Sequence, residues 1–339
     1  MERAADIQLN WQQREIIRSR ATLLLCVVLS SIALSCTLAS WLPLQFSVVT
    51  VFLFAGPHNL LEFRYFLTRM PVRLGQSTNF FAVAFGGIAL LTLAYVTLPV
   101  LYYSGLWSGN EWTTLIAVWN TGLVLWIAVL IWMRGKLKRR DWFLAWPAAF
   151  VVISANWLAP ELFSIGLVYL HPLIALWFLD RQLRRSRPEW LKSYHYGLAV
   201  LPIVIAGMCW YLSSTSSLPN DNGLAWRITQ HAGADLLPRI STHLLVSVHV
   251  FLEMLHYLVW LIALPLLSIG SVWTIRSIPI AKHPSGFPKL ITAMVLIGLF
   301  LVGLLWFGFS VDYSTTRDVY FAVAIAHVLA EAPFLLRML

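Results

Sequence analysis

Long apolar runs recur along this chain, each closed by a short stretch rich in Pro, Gly, Ser or basic residues. They fall near 21–42, 44–66, 79–103, 112–133, 142–158, 161–180, 196–213, 239–264, 289–309 and 317–337. About twenty residues of helix cross a bilayer's hydrocarbon core, so the pattern predicts ten transmembrane helices, with the fifth and seventh runs the shortest. Residues 1–20, MERAADIQLNWQQREIIRSR, read as an amphipathic segment ahead of the first span. That span lacks a small-residue cleavage site at its end and reads as retained. After the seventh run, SSTSSLPNDNG reads as a loop, and LAWRITQHAGADLL as a short amphipathic helix on the membrane surface. The fold class expected is all-α: a polytopic integral membrane helical bundle of about ten helices, with residues 21–339 forming one transmembrane domain.

Composition strengthens this picture. Of 339 residues, 59% are hydrophobic and 12% charged, where a soluble chain carries about a quarter charged residues. No polar stretch is long enough to fold as a separate soluble domain. The net charge of +9 does not point to nucleic acid, because its distribution has another cause. With a cytoplasmic N-terminus and ten crossings, only Arg227, Arg239 and Arg317 of the 24 Lys and Arg fall on the far side. That is the asymmetry of the positive-inside rule. It puts both termini in the cytoplasm of a multi-pass protein, expected in a bacterial inner membrane. Trp and Tyr gather near span ends, as in WLP at 41–43 and WYL at 210–212, as an aromatic belt does. Cys26, Cys36 and Cys209 lie in apolar runs with no CxxC pair and read as small buried hydrophobes.

Ionisable side chains inside these runs are the candidate chemistry, since each is costly in hydrocarbon. GPHNLLEF carries His58 and Glu62, AIAHVLAEAPFLLR carries His327 and Glu331, and HVFLEMLHYLVW carries His249, Glu253 and His256. A spacing of four puts two side chains on one helix face, and H-x-x-x-E occurs three times in three spans. His171 precedes Pro172 in the sixth run. By topology these histidines occupy one central slab of the bilayer. His58, His171, His249, His256 and His327 are the candidate metal ligands. Glu62, Glu253 and Glu331 are the candidate catalytic carboxylates, each placed to orient a neighbouring imidazole. His231 and Asp235, in HAGAD, read as surface residues, and His195 and His283 as solvated.

Imidazole with carboxylate and open positions suits non-haem iron and dioxygen chemistry, so Fe(II) is the metal expected, with zinc or haem as alternatives. Hydrolytic zinc needs a polar substrate, which reaches mid-membrane poorly. An apolar small molecule enters sideways from the lipid phase. The expectation is therefore a metal-dependent oxygenase acting on a lipid, isoprenoid or carotenoid.

GPHNLLEF resembles the Pro-His-Gly-x-x-Asp signature of the Brp/Blh family of membrane β-carotene cleavage dioxygenases. AIAHVLAEAPFLLR is similar to that family's last histidine motif, and HVFLEMLH occupies the place of its penultimate two-histidine helix. The resemblance implies a helical bundle with four histidines around ferrous iron, carried here by His58, His249, His256 and His327. The sequence departs from the family at four points: the paired histidines are seven apart instead of four, Glu62 replaces an Asp, the second motif has no counterpart, and ten spans exceed the family's usual count. Two other readings of the polar groups stay open: a proton or cation transporter lined by His and Glu, and a haem- or chlorophyll-binding or structural subunit of a membrane complex.

Overall fold

Proline and single polar residues punctuate the chain into helices. The computed structural model describes residues 2–70, 77–104, 109–139, 141–219, 223–267 and 288–338. Arg73, Arg140, Arg276, Lys282 and His283, and the side chains of Arg3, Arg14, Arg18 and Arg20, lie outside the described residues. Among the described residues the regular structure is entirely helical. The helices are α1 (Glu2–Trp41), α2 (Pro43–Arg69), α3 (Thr78–Tyr103), α4 (Gly109–Lys138), α5 (Ala145–Leu158), α6 (Pro160–Ser186) and α7 (Leu191–Leu212). The short α8 (Leu224–His231) follows. Then α9 (Thr242–Leu258) runs through a π turn, Val259–Ala263, into α10 (Leu264–Leu267), and α11 (Pro288–Val311) and α12 (Tyr313–Met338) complete the chain.

Among the described residues nine helices are long and apolar enough to cross a membrane, so the chain is a multi-pass membrane protein. The tenth expected span is α5, apolar but only 14 residues long. From Glu2 on, the expected amphipathic segment is continuous with the first span as one helix. Pro43, Pro160 and Pro288 stand at the first helical position of α2, α6 and α11, where the missing N–H costs nothing. Asp312 alone separates α11 from α12, and its side chain accepts the Thr315 N–H at 3.1 Å, capping the new helix.

The described chain divides into two compact units: Met1–Thr50 with Ala175–Ile269, and Val51–Ile174 with Gly270–Leu339. In the first, α1, α7 and α9 pack on one another. A Cβ at Gly197 would stand 2.9 Å from Val28, so α7 meets α1 closely there. The amphipathic helix expected after the seventh run is α8, whose Ile228 and Ala232 pack on Leu245, Val246 and Val250 of α9. Gly233, at φ 93°, ends α8 with the Ala234 N–H bonded to Thr229 O and its own N–H to Gln230 O. That is a Schellman closure, which requires a left-handed residue.

In the second unit, α3, α4 and α12 share a core of Phe80, Phe81, Leu91, Trp119, Trp126 and Leu329. The indoles of Trp119 and Trp126 donate to Leu91 O at 2.9 Å and Val83 O at 3.0 Å, since lipid offers no other acceptor. A side chain at Gly87 would collide with the Trp126 indole. Helix α5 is pinned by amides: Asn120 Nδ2 donates to Asn156 Oδ1 at 2.8 Å and Pro160 O at 3.1 Å, and Asn156 Nδ2 donates to Ala117 O at 2.9 Å. Both asparagines are fully buried.

Candidate metal centre

Three helices of the second unit bring imidazoles together, and each carries a proline inside it. Pro57 lies inside α2, Pro172 inside α6 and Pro333 inside α12. A proline removes one rung of the helical ladder and allows a local bend. Beside Pro57, His58 Nδ1 stands 2.9 Å from Phe54 O. A carbonyl only accepts, so Nδ1 carries the proton and Nε2 keeps its lone pair. Glu331 Oε2 lies 3.0 Å from His171 Nδ1, within ion-pair distance.

His171 Nε2 faces His327 Nε2 at 3.3 Å. The ring centroids are 5.1 Å apart, and His58 meets His327 edge-on at 5.2 Å. Each of His58, Glu62 and His327 offers a ligand atom, and these lie within 4.8 Å of one another. His58 is 1% exposed, and Glu62 and Glu331 are 0% exposed.

Two features of this cluster fit a cation. The first is the 3.3 Å separation. At that distance one ring can donate to the other in an N–H···N bond. The distance also matches the edge of a tetrahedron whose metal–nitrogen bonds are about 2.0–2.1 Å, an edge of about 3.3–3.4 Å. The second is Glu62. Among the described residues both of its oxygens are buried without a hydrogen-bond partner. An ionised carboxylate in that position carries a desolvation cost of several kcal/mol unless a cation or a proton offsets it.

The trio of HVFLEMLHYLVW belongs to the first unit, on α9, and each member is buried. The His249 ring stands 5.1 Å from that of His231, at the end of α8. Glu253 accepts the Tyr257 hydroxyl proton at 2.8 Å. The His256 ring lies edge-on to Tyr257 and Trp260, at 6.1 and 6.3 Å, and the π turn begins three residues later. His231 is half-buried against α9 and not the surface group its loop-like setting suggests. No periodic signal ties α8 to α9, so this pair is absent from a reading by spacing. Asp180, near the end of α6, binds His195 at 2.7 Å and Arg184 at 2.7 Å.

No protein-family model matches this chain, and neither a curated protein nor a solved structure matches it.

Proposed function

We propose that this protein is a membrane-embedded, metal-dependent oxygenase of the non-haem iron type. Its substrate is an apolar lipid, isoprenoid or carotenoid drawn from the bilayer. The observation that carries the reading is the 3.3 Å approach of two unprotonated-capable imidazole nitrogens beside the uncompensated Glu62 carboxylate. The same approach disfavours a bis-histidine haem pocket, whose axial imidazoles sit on opposite faces of a macrocycle that needs room between them.

His58, His327 and Glu62 would hold the ion, with His171 Nε2 beside that of His327. Ferrous iron bound by imidazole and carboxylate with open positions supplies dioxygen activation. Phe54 O keeps the proton on His58 Nδ1, so its Nε2 stays basic, and the Glu331 carboxylate beside His171 favours a proton on that Nδ1. The ligands sit in apolar helices, which suits a substrate arriving from lipid and keeps bulk water away. The Brp/Blh resemblance agrees in the residues His58 and His327.

The test is metal analysis of purified protein together with its absorption spectrum and oxygen uptake with polyene lipids. Stoichiometric iron, no Soret band and substrate-dependent oxygen uptake are the expected results. Metal-free protein that carries protons across liposome membranes would overturn the reading in favour of a transporter.

A further inference from the structure

The two H-x-x-x-E helices of the second unit end in a chain of guanidinium-to-carbonyl bonds. Arg134, near the end of α4, donates from Nε to Leu336 O at 3.1 Å and from Nη2 to Arg337 O at 2.7 Å. Those are among the last carbonyls of α12, which have no partner within the helix. Arg337 of α12 in turn donates from Nη1 to the carbonyl of Arg69, the last residue of α2. Its guanidinium also lies 5.7 Å from the Phe81 ring centroid. A cation at a helix C-terminus meets both the orphan carbonyls and the negative end of the dipole.

The distances along the two helices are matched. At 1.5 Å per residue, His58 and Glu62 stand about 16 and 10 Å above the Arg69 carbonyl, and His327 and Glu331 about 15 and 9 Å above Arg337. An axial slip of one helix past the other would therefore pass directly to the separation of their ligands. Pro333 makes α12 bendable between the clamp and the site. The stacked rings of Phe66 and Phe334, 4.3 Å apart and 4° from parallel, fix how close the helices come. Parallel rings slide past one another at little cost, so the stack does not fix the axial register, whereas a directional hydrogen bond does.

We propose that Arg337 and Arg134 are positioning residues that set the register of α2 against α12, and so the geometry of the His58, Glu62, His327 and Glu331 donors. The inference rests on the metal reading above for its consequence, though not for its geometry. The experiment uses the full chain in detergent or nanodiscs, with Co(II) as probe ion. Arg337→Gln should weaken Co(II) binding about 10–100-fold, the range for lost support behind metal ligands, and should shift the cobalt ligand-field bands. Arg337→Lys, which keeps one donor for the Arg69 carbonyl, should recover most of the affinity. Arg134→Gln should act in the same direction.

In parallel, nitroxides at L53C on α2 and V323C on α12, in a chain with Cys26, Cys36 and Cys209 replaced by alanine, report the register without any metal. Arg337→Gln should move their mean separation by about 1–2 Å. An unchanged label distance overturns the proposal, as does an unchanged cobalt spectrum and affinity in both arginine variants. A wild-type chain that binds no cobalt but shows the label shift sinks the metal reading and leaves the register proposal standing.

Discussion

Glu62 and Glu331 are two carboxylates buried to the same degree but in different company. Neither has a hydrogen-bond partner among the described residues, but Glu331 Oε2 lies within ion-pair distance, 3.0 Å, of His171 Nδ1, while Glu62 lies with His58 and His327. Glu62→Gln removes a buried charge without changing shape. If the charge serves a cation, the substitution has two effects of opposite sign: the metal-free protein is stabilised, because a desolvated charge is gone, and metal affinity falls. A merely structural glutamate would lose stability instead. Thermal melting of chelator-treated protein, read beside competition for Fe(II) or Co(II), separates the two. Glu331→Gln should cost about 10–100-fold in affinity, less than Glu62→Gln, because Glu331 would act through the neighbouring His171 whereas Glu62 would touch the ion. Equal losses in the two variants would contradict the different roles given to them. At this scale the sequence is informative up to a point. The spacing of four shows that His58 shares a face with Glu62 and His327 with Glu331. It does not show that His171 completes the group, because that depends on which helices touch.

The elements follow the hydrophobic pattern closely, and their departures from it have local causes. Helix α1 is longer than its apolar run because the helix continues back through residues 2–20. The seventh, with a short apolar run, reaches full length by recruiting the turn at Pro188–Trp190. The π turn after His256 leaves no mark in hydropathy, since Val259–Ala263 are apolar in any helix form. Helix α5 is the informative case. Beside its apolar packing on α4, the buried amides of Asn120 and Asn156 tie it to α4, and Asn120 also holds Pro160 O of α6. Asn156→Ala removes the acceptor for one Asn120 proton and the donor to Ala117 O. Interhelical polar contacts in membranes are worth about 1–2 kcal/mol at their strongest, so a loss of about that size is expected in reversible denaturant titration. A loss near zero would mean that Ser164, 3.2 Å from Asn120 Nδ2, takes over the acceptor role.

For the whole molecule, the question α5 raises is whether the chain crosses the membrane ten times. Fourteen residues of helix are about 21 Å long, short of the about 30 Å hydrocarbon core, and length alone would discount it. The packing argues otherwise. Asn156 near the end of α5 meets residues 117–121 near the start of α4, while Ala149 packs with Val124 and Ala128 further along. So α5 runs antiparallel to α4. Helix α6 then starts where α5 ends, with Pro160 and Glu161 beside Asn120 and Thr113, and Phe163 packs with Val124 and Ala128. It therefore runs parallel to α4, which makes α5 the return leg. The charge pattern agrees, because ten crossings put the basic ends of α4 and α6, Lys136 with Lys138 and Arg184 with Arg185, on one side. If α5 failed to cross, these two clusters would face opposite compartments and every later segment would invert. Cysteines introduced as K138C and R187C, in a chain freed of its own three, should react with an impermeant maleimide from the same side of sealed vesicles. S217C, in the loop after α7, should react from the other. Labelling of positions 138 and 187 from opposite sides would reduce the crossings to nine and turn the last five long helices, with His171 and His327 among them, upside down relative to α2.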